Sequence, residues 1–304
     1  MVSPERQLFK CFGCGKAGNV FHFMMATTGL GFQEVVRKLA EKAGIVLEIE
    51  HEPNSGYAQR KDLLALMQWS ASFYCKQLHH QAKEPMDYLK KRNLSPSSIE
   101  KFCLGYAPES WDTLTKAALR EGFSTALLEQ AGLSLKSQNQ DSYYDRFRNR
   151  IIFPIWNAEN EVIAFGGRVL RPEDNPKYLN SPETSLFSKS RVLYGMNFAR
   201  PHVMSGKKIL VMEGYTDVIA AHQFGFCEST ATLGTSLTEE HARFIKRYAD
   251  SVILVYDGDS AGVKGAERSL AHFLKQSVLL KIAVLPDNLD PCDFLVEQIG
   301  RAHV

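Results

Sequence analysis

The sequence predicts an α/β fold: a parallel sheet with helices on both faces, preceded by a mixed α+β segment rich in basic residues. Three observations carry this. Two short apolar runs, Lys207–Met212 and Val252–Tyr256, each stop at a carboxylate followed by glycine, at Glu213-Gly214 and Asp257-Gly258. Such runs read as buried strands feeding tight loops, with helices after them. Repeated strand–loop–helix units favour a parallel sheet covered by helices. The part of the chain before residue 143 reads as helices. Between 143 and 200 two strand-like runs, Ile151–Trp156 and Val162–Phe165, flank the turn Asn157–Asn160.

The totals bound the function. The chain has 304 residues, enough for two or three small domains with real cores. Net charge is +2, so any nucleic-acid surface is local. No apolar run is long enough for a bilayer and no signal peptide opens the chain, so no membrane partner is expected. Six cysteines are scattered apart from Cys11 and Cys14. That pattern fits reduced thiols in a cytoplasmic protein, not a disulfide framework. A monomer is expected.

Taken in order, Cys11-x-x-Cys14 with Gly13 and Gly15 has the form of a zinc knuckle, since soft sulfur suits Zn²⁺. A structural zinc site takes four ligands and two are visible. His22 falls in a helix expected over Val20–Thr28 and is not expected to ligate; a redox role for the pair lacks the strand-then-helix setting. Phe32–Ala43 has helical period, with Gly44 as its stop. Residues 50–55 read as a linker, 61–79 as an amphipathic helix ended by His79-His80, two cations complementing a C-terminus. Shorter helices are expected over Pro85–Lys91, after the capping pair Ser95-Pro96, over Trp111–Arg120 and over Thr125–Gln130. Their aromatics read as core. Leu135–Gln140 reads as a loop.

From Tyr143 the composition shifts. Residues 146–200 hold nine Lys or Arg against five Asp or Glu, an excess of four that exceeds the excess of the whole chain. Basic residues interleaved with aromatics suit a phosphate backbone and stacked bases, with a solvated hairpin face as the alternative. Gly166-Gly167 reads as a place where backbone approaches a ligand. In the last third, Glu213, Asp257 and Asp259 fall at strand ends, where ligands of open α/β sheets bind. Converging acids repel unless a cation joins them, and oxygen ligands suit Mg²⁺ or Mn²⁺. Asp217 either caps the following helix or belongs to this site. Thr238 is expected to cap a helix over Glu239–Tyr248.

E-G-Y-x-D at Glu213–Asp217 and D-x-D-x-x-G at Asp257–Gly262 together resemble the Toprim domain of bacterial DNA primases, topoisomerases and some nucleases, over residues 201–300. C-F-G-C-G-x-x-G-N-V-F from Cys11 resembles the second half of the primase zinc ribbon. Y-L-x-x-R-x-L-S from Tyr88, R-F-R-x-R-I-x-F-P-I from Arg146, F-G-G-R from Phe165 and P-K-Y-L-N-S-P-E-T from Pro176 are similar to the bacterial primase core. The likeness runs from residue 8 to the end.

The resemblance implies a Toprim-type sheet at 201–304, a basic subdomain of an RNA polymerase core at 56–200 and a partial zinc ribbon with following helices at 1–50. It implies synthesis of short RNA primers on single-stranded DNA from ribonucleoside triphosphates, by two-metal nucleotidyl transfer in replication, with a replicative helicase as partner of the full-length protein. Asp257, Asp259 and Asp290 would be Mg²⁺ or Mn²⁺ ligands, and Glu213 a ligand or proton acceptor. Arg146, Arg148, Arg168, Lys177, Tyr178, Asn180 and Lys189 would face template or nucleotide, and Asp217 would touch the metal or polymerase site. The family's D-P-D reads here as Asp290-Pro291-Cys292-Asp293, which puts the second acid in doubt. A further Cys and His precede the Cys pair in the family, so Zn²⁺ at Cys11 and Cys14 is expected to be weak or absent. The helicase-contacting segment is expected to be missing through truncation. The alternatives are Toprim cleavage chemistry, as in a topoisomerase or nuclease, and single-strand binding without synthesis.

Overall fold

The computed structural model describes residues 1–13, 15–28, 32–45, 56–81, 83–138, 142–171, 173–256, 272–286 and 289–299. Asp257 and Asp259 lie outside the described residues, as does Cys14. The chain forms two compact units, Met1–Ser55 and Gly56–Val304.

In the first unit, β1 (Val2–Ser3), β2 (Leu8–Lys10) and β3 (Ala17–Gly18) form an antiparallel sheet, followed by α1 (Val20–Thr28) and α2 (Phe32–Lys42). The Cys11 turn is closed by the Cys11 amide donating to the Lys16 carbonyl (2.8 Å) and the Gly15 amide to the Cys11 carbonyl (2.9 Å). His22 is engaged by Asn19, whose Oδ1 accepts from its ring Nδ1 at 2.6 Å and from its amide at 3.2 Å.

The second unit opens with α3 (Gly56–Gln81), α4 (Lys83–Lys91) and α5 (Pro96–Lys101). Ser95 caps α5 by accepting from the Ser98 amide. Next come β4 (Gly105–Ala107), α6 (Thr113–Arg120), α7 (Thr125–Gln130), β5 (Ser134–Lys136) and β6 (Tyr143–Asp145). The segment expected as a loop at 135–140 thus begins as a strand, because Leu135 pairs with Tyr144 across a two-stranded ribbon. β7 (Arg150–Trp156), β8 (Val162–Val169) and β9 (Tyr178–Asn180) complete an antiparallel sheet in the order β4-β7-β8-β9.

Every residue of β7 and β8 is buried, although an antiparallel sheet usually leaves one face wet. The alternation along β7 explains it. Ile152 and Trp156 enter a core with Leu66, Met67 and Tyr74 of α3. Ile151, Phe153 and Ile155 enter another that includes Tyr215, Val218 and Ile219 from later in the chain. The antiparallel sheet is therefore sandwiched, and its second face is shared with the final third.

That third contains α8 (Met196–Gly206), which the sequence reading did not anticipate, then β10 (Lys208–Met212), α9 (Tyr215–Gln223), β11 (Ser229–Ala231), α10 (Glu239–Lys246), β12 (Ser251–Tyr256), β13 (Leu279–Val284) and α11 (Pro291–Phe294). The four strands are all parallel, in the order β11-β10-β12-β13. Leu210 and Met212 pack on the core shared with α9, while Ile209 and Val211 pack with Val203 of α8 and Ile245 of α10. Both faces are covered, as expected for this class. No helix among the described residues is long and apolar enough to cross a membrane.

Candidate functional site

The carboxyl ends of the parallel strands form one rim. The register Val211↔Leu254 sets the ends of β10 and β12 side by side. Glu213 follows β10 directly and is exposed. Gly214 is the N-cap of α9, where a Cβ would stand 2.6 Å from Asp217 Oδ2 and displace that carboxylate. Asp217 is buried in the first turn of that helix, where the helix dipole favours a negative charge. β12 ends at Tyr256, one residue before Asp257.

A second group of acids stands on α11, which packs against α9. Asp290 caps α11, its Oδ1 accepting from the Asp293 amide at 2.7 Å. Ligand atoms of Asp290, Cys292 and Asp293 lie within 4.8 Å of one another. Burial pushes the Cys292 thiol up to about 12, and the charges of Asp217 and Asp290 add to the effect. At neutral pH Cys292 is thus a neutral thiol, and its Sγ donates to the Arg92 carbonyl. The two carboxylates suit a hard divalent cation such as Mg²⁺ or Mn²⁺; the protonated thiol adds no good ligand. Among the described residues, which leave out Cys14, no group of three His, Cys, Asp or Glu of metal size includes Cys11.

Sequence reading did not single out Arg92, although it lies within the quoted Y-L-x-x-R pattern. Its NH1 lies 3.3 Å from Asp290 Oδ2 and 3.5 Å from Asp293 Oδ1. Burial opposes its charge, but Tyr88, Asp290 and Asp293 outweigh that and hold its pKa above the ordinary value. Tyr88 also lies under Arg168, whose guanidinium is 5.0 Å from the Tyr88 ring centre and 5.2 Å from that of Tyr178. Arg168 donates to the Tyr178 hydroxyl at 2.7 Å. An arginine held between two aromatic faces is fixed in direction at little further entropic cost.

β9 brings these groups to the rim. Tyr215 opens α9, and its hydroxyl donates to Asn180 Oδ1 at 2.6 Å, while Asn180 Nδ2 donates to the Leu233 carbonyl beyond β11 at 2.8 Å. Both ends of the Asn180 amide are spent tying β9 to the parallel sheet. Lys177, just before β9, is exposed and has no ion pair among the described residues. Gly166 and Gly167 have a packing reason of their own. A Cβ on Gly166 would run into the Tyr215 ring, and one on Gly167 would stand 2.8 Å from Phe147 Cδ1. They are glycine because two aromatic rings need the space.

The arginines of the 146–150 stretch line a cleft of about 410 Å³ with Trp111, Asn149 and Pro176. Arg146 donates to the Asn180 carbonyl (3.0 and 3.3 Å), Arg148 to the Asp145 carbonyl, and Arg150 to the Pro176 carbonyl at 2.8 Å. Each is therefore aimed by backbone. Trp111, expected in the core, is 66% exposed, with the Arg148 guanidinium 4.4 Å from its ring centre. Lys189 sits on a loop clamped by the start of α10. There Thr238 Oγ1 donates to the Ser190 carbonyl, Glu240 takes Arg191 and Ser190, and His241 Nε2 lies 3.2 Å from the Val192 carbonyl.

Family models match as "DNA primase catalytic core, N-terminal domain" over residues 73–200, "Toprim-like" over 210–295 and "CHC2 zinc finger" over 1–55. A catalytic domain of the primase DnaG solved bound to ssDNA is similar at 38% identity and a TM-score of 0.73, covering 81% of this chain and 78% of that one. The chain belongs to the bacterial DNA primase family. The Aquifex aeolicus primase, solved with its zinc binding and RNA polymerase domains, is another family member of similar structure. It is 30% identical with a TM-score of 0.76, covering 99% of this chain and 73% of that one. The DNA primase of Halalkalibacterium halodurans is 41% identical over 301 residues, 97% of this chain and 49% of that protein. The chain thus spans about half the length of the curated primases it matches.

Proposed function

We propose that the chain carries the polymerase chemistry of its family: synthesis of short RNA primers on a single-stranded DNA template during replication. The supporting observation is the Tyr215–Asn180–Leu233 joint, which fastens β9, with Lys177 just before it and Arg168 on the neighbouring β8, to the end of the parallel sheet where the acids stand. Cationic side chains held beside an acidic rim are what phosphate transfer needs. On this reading residues 1–50 are a partial zinc ribbon, 56–200 the basic subdomain and 201–304 the Toprim subdomain.

Asp257, Asp259 and Asp290 would hold Mg²⁺ or Mn²⁺, with Glu213 as a further ligand or the proton acceptor. Two such ions, when bound, lower the pKa of the attacking hydroxyl and steady the leaving oxygens. The primer 3′ oxygen bonds to the α-phosphorus of the incoming ribonucleotide, its proton passes to Glu213 or water, and pyrophosphate leaves. Lys177, Lys189 and Arg168 would neutralise the triphosphate. Tyr178 would hold Arg168 in place, and Asn180 would fix the distance between β9 and the rim. Arg146 and Arg148 would line the template path, and Asp217 would add negative charge beside the cations. Cys11 and Cys14 would supply half of a zinc site. The partners are single-stranded DNA, ribonucleoside triphosphates, the RNA primer and, for a full-length relative, a replicative helicase.

Incorporation of radiolabelled ribonucleotides on a single-stranded template with Mg²⁺ or Mn²⁺ tests this. Incorporation by the wild-type chain and a loss of 10²-fold or more in Glu213→Ala and in Asp257→Ala are expected, on the order of removing a group that stabilises transition-state charge. Unchanged synthesis in both variants contradicts the acidic rim.

A further inference from the structure

Arg92 occupies the place of a cation. It lies in the turn after α4, and that turn is rigid. Asn93 is left-handed at φ 54°. Gln223 of α9 donates to the Asn93 carbonyl at 2.9 Å and accepts from the Ser95 amide at 2.8 Å. The backbone of the turn is thereby held, and from it the Arg92 side chain reaches the two acids beside Tyr88. Its hold on the acids is imperfect, one nitrogen shared between two carboxylates at 3.3 and 3.5 Å in place of a two-pronged pair. Asp290 meanwhile has one oxygen committed to capping α11 and the other to Arg92. A divalent ion that takes Asp290 Oδ2 meets a like charge already in place.

We propose that Arg92 and a divalent cation compete for the Asp290–Asp293 pair, so that cation binding releases the Arg92 guanidinium for phosphate. This rests on the reading of Asp290 as a cation-binding acid. Tyr88 interacts with Arg92 and lies 5.0 Å from the Arg168 guanidinium, so a released Arg92 has Arg168 as its cationic neighbour. Arrival of the cation and gripping of an anionic ligand thereby become one linked event. Coupling of this kind is reciprocal: whatever phosphate gains from the cation, the cation gains from phosphate.

The test is equilibrium Mn²⁺ binding to the full chain, without nucleotide or DNA, read from the loss of the free-ion EPR signal. Arg92→Met should tighten Mn²⁺ at the Asp290 site by on the order of tenfold, within the usual range for coupled sites. Arg92→Lys should lie between Met and wild type. Lys91→Met removes an exposed charge from the same helix end without touching Asp290 and should change binding less than twofold or so, the scale of a screened surface charge. Asp290→Asn keeps a capping side chain and should abolish the site whose affinity Arg92→Met raises. Unchanged or weaker Mn²⁺ binding in Arg92→Met, or an equal gain in Lys91→Met, overturns the competition while leaving the metal reading intact. Mn²⁺ binding indifferent to Asp290→Asn overturns both, and specifically removes Asp290 from the cation site.

Discussion

Single side chains set the joint between the two sheets, and one buried histidine sets a pH limit on it. His222 of α9 is buried beside Phe102, its Nε2 2.9 Å from the Ser229 carbonyl. Burial, followed by repulsion from Lys101 and His202, lowers its pKa from 6.5 to about 4, with the Ser229 carbonyl opposing. The unfolded chain therefore takes the proton first. Stability from this group is fully present above pH 6.5 and is lost as pH falls through about 4. The loss amounts to roughly 3 kcal/mol at most. Thermal melts from pH 7 to 4.5 should show a falling Tm, with a shallower fall in His222→Gln. A second residue-scale prediction concerns Gly166. Gly166→Ala forces a methyl into Tyr215 and should cost about 1–3 kcal/mol in urea denaturation, as overpacking does. The F-G-G-R pattern was plain in the sequence, but the reason for its glycines was not, because Tyr215 lies some fifty residues further on and meets them only through tertiary packing.

At the scale of elements, local signals read well where the partner is near in sequence. Ser95-Pro96 and Thr238 cap the helices they were expected to cap. α6 shows the opposite. Its own Asp112 makes no capping hydrogen bond. Buried Asp145, thirty residues away, accepts from the Leu114 amide (2.7 Å), the Thr115 amide (2.9 Å) and the Thr115 hydroxyl (2.6 Å). Asp145→Ala should cost about 2 kcal/mol or more, from a lost cap and two orphaned amides, and hydrogen exchange should speed up in the first turn of α6. Asp145 also precedes Arg146 and gives its carbonyl to Arg148, so the same change should loosen the arginine cleft. The strand at 134–136 escaped a reading by composition because a three-residue strand holds too little pattern and needs its partner to be seen.

For the whole molecule, the sandwiched antiparallel sheet explains why Arg168 and Lys177 keep their spacing from the acidic rim: one core runs from Leu78 through β7 to α9 and α11. The two apolar runs ending in acids made the parallel sheet legible, and the charge excess over 146–200 marked the cationic segment. Arg92 stayed hidden because its meaning depends on Asp290 and Asp293, two hundred residues away. Single-strand binding offers a check at this scale. Lys177→Ala should weaken binding of an oligothymidylate and reduce the slope of log affinity against log salt by about 0.7, the value for one phosphate contact on a single strand. The most direct measurement is Mn²⁺ anomalous scattering from crystals of the full chain grown with a short single strand. The account predicts Mn²⁺ against the carboxylates of Glu213 or Asp290 at the rim, with the strand running past Lys177 and Tyr178. Mn²⁺ bound away from those acids, or a strand lying on another face, would contradict it.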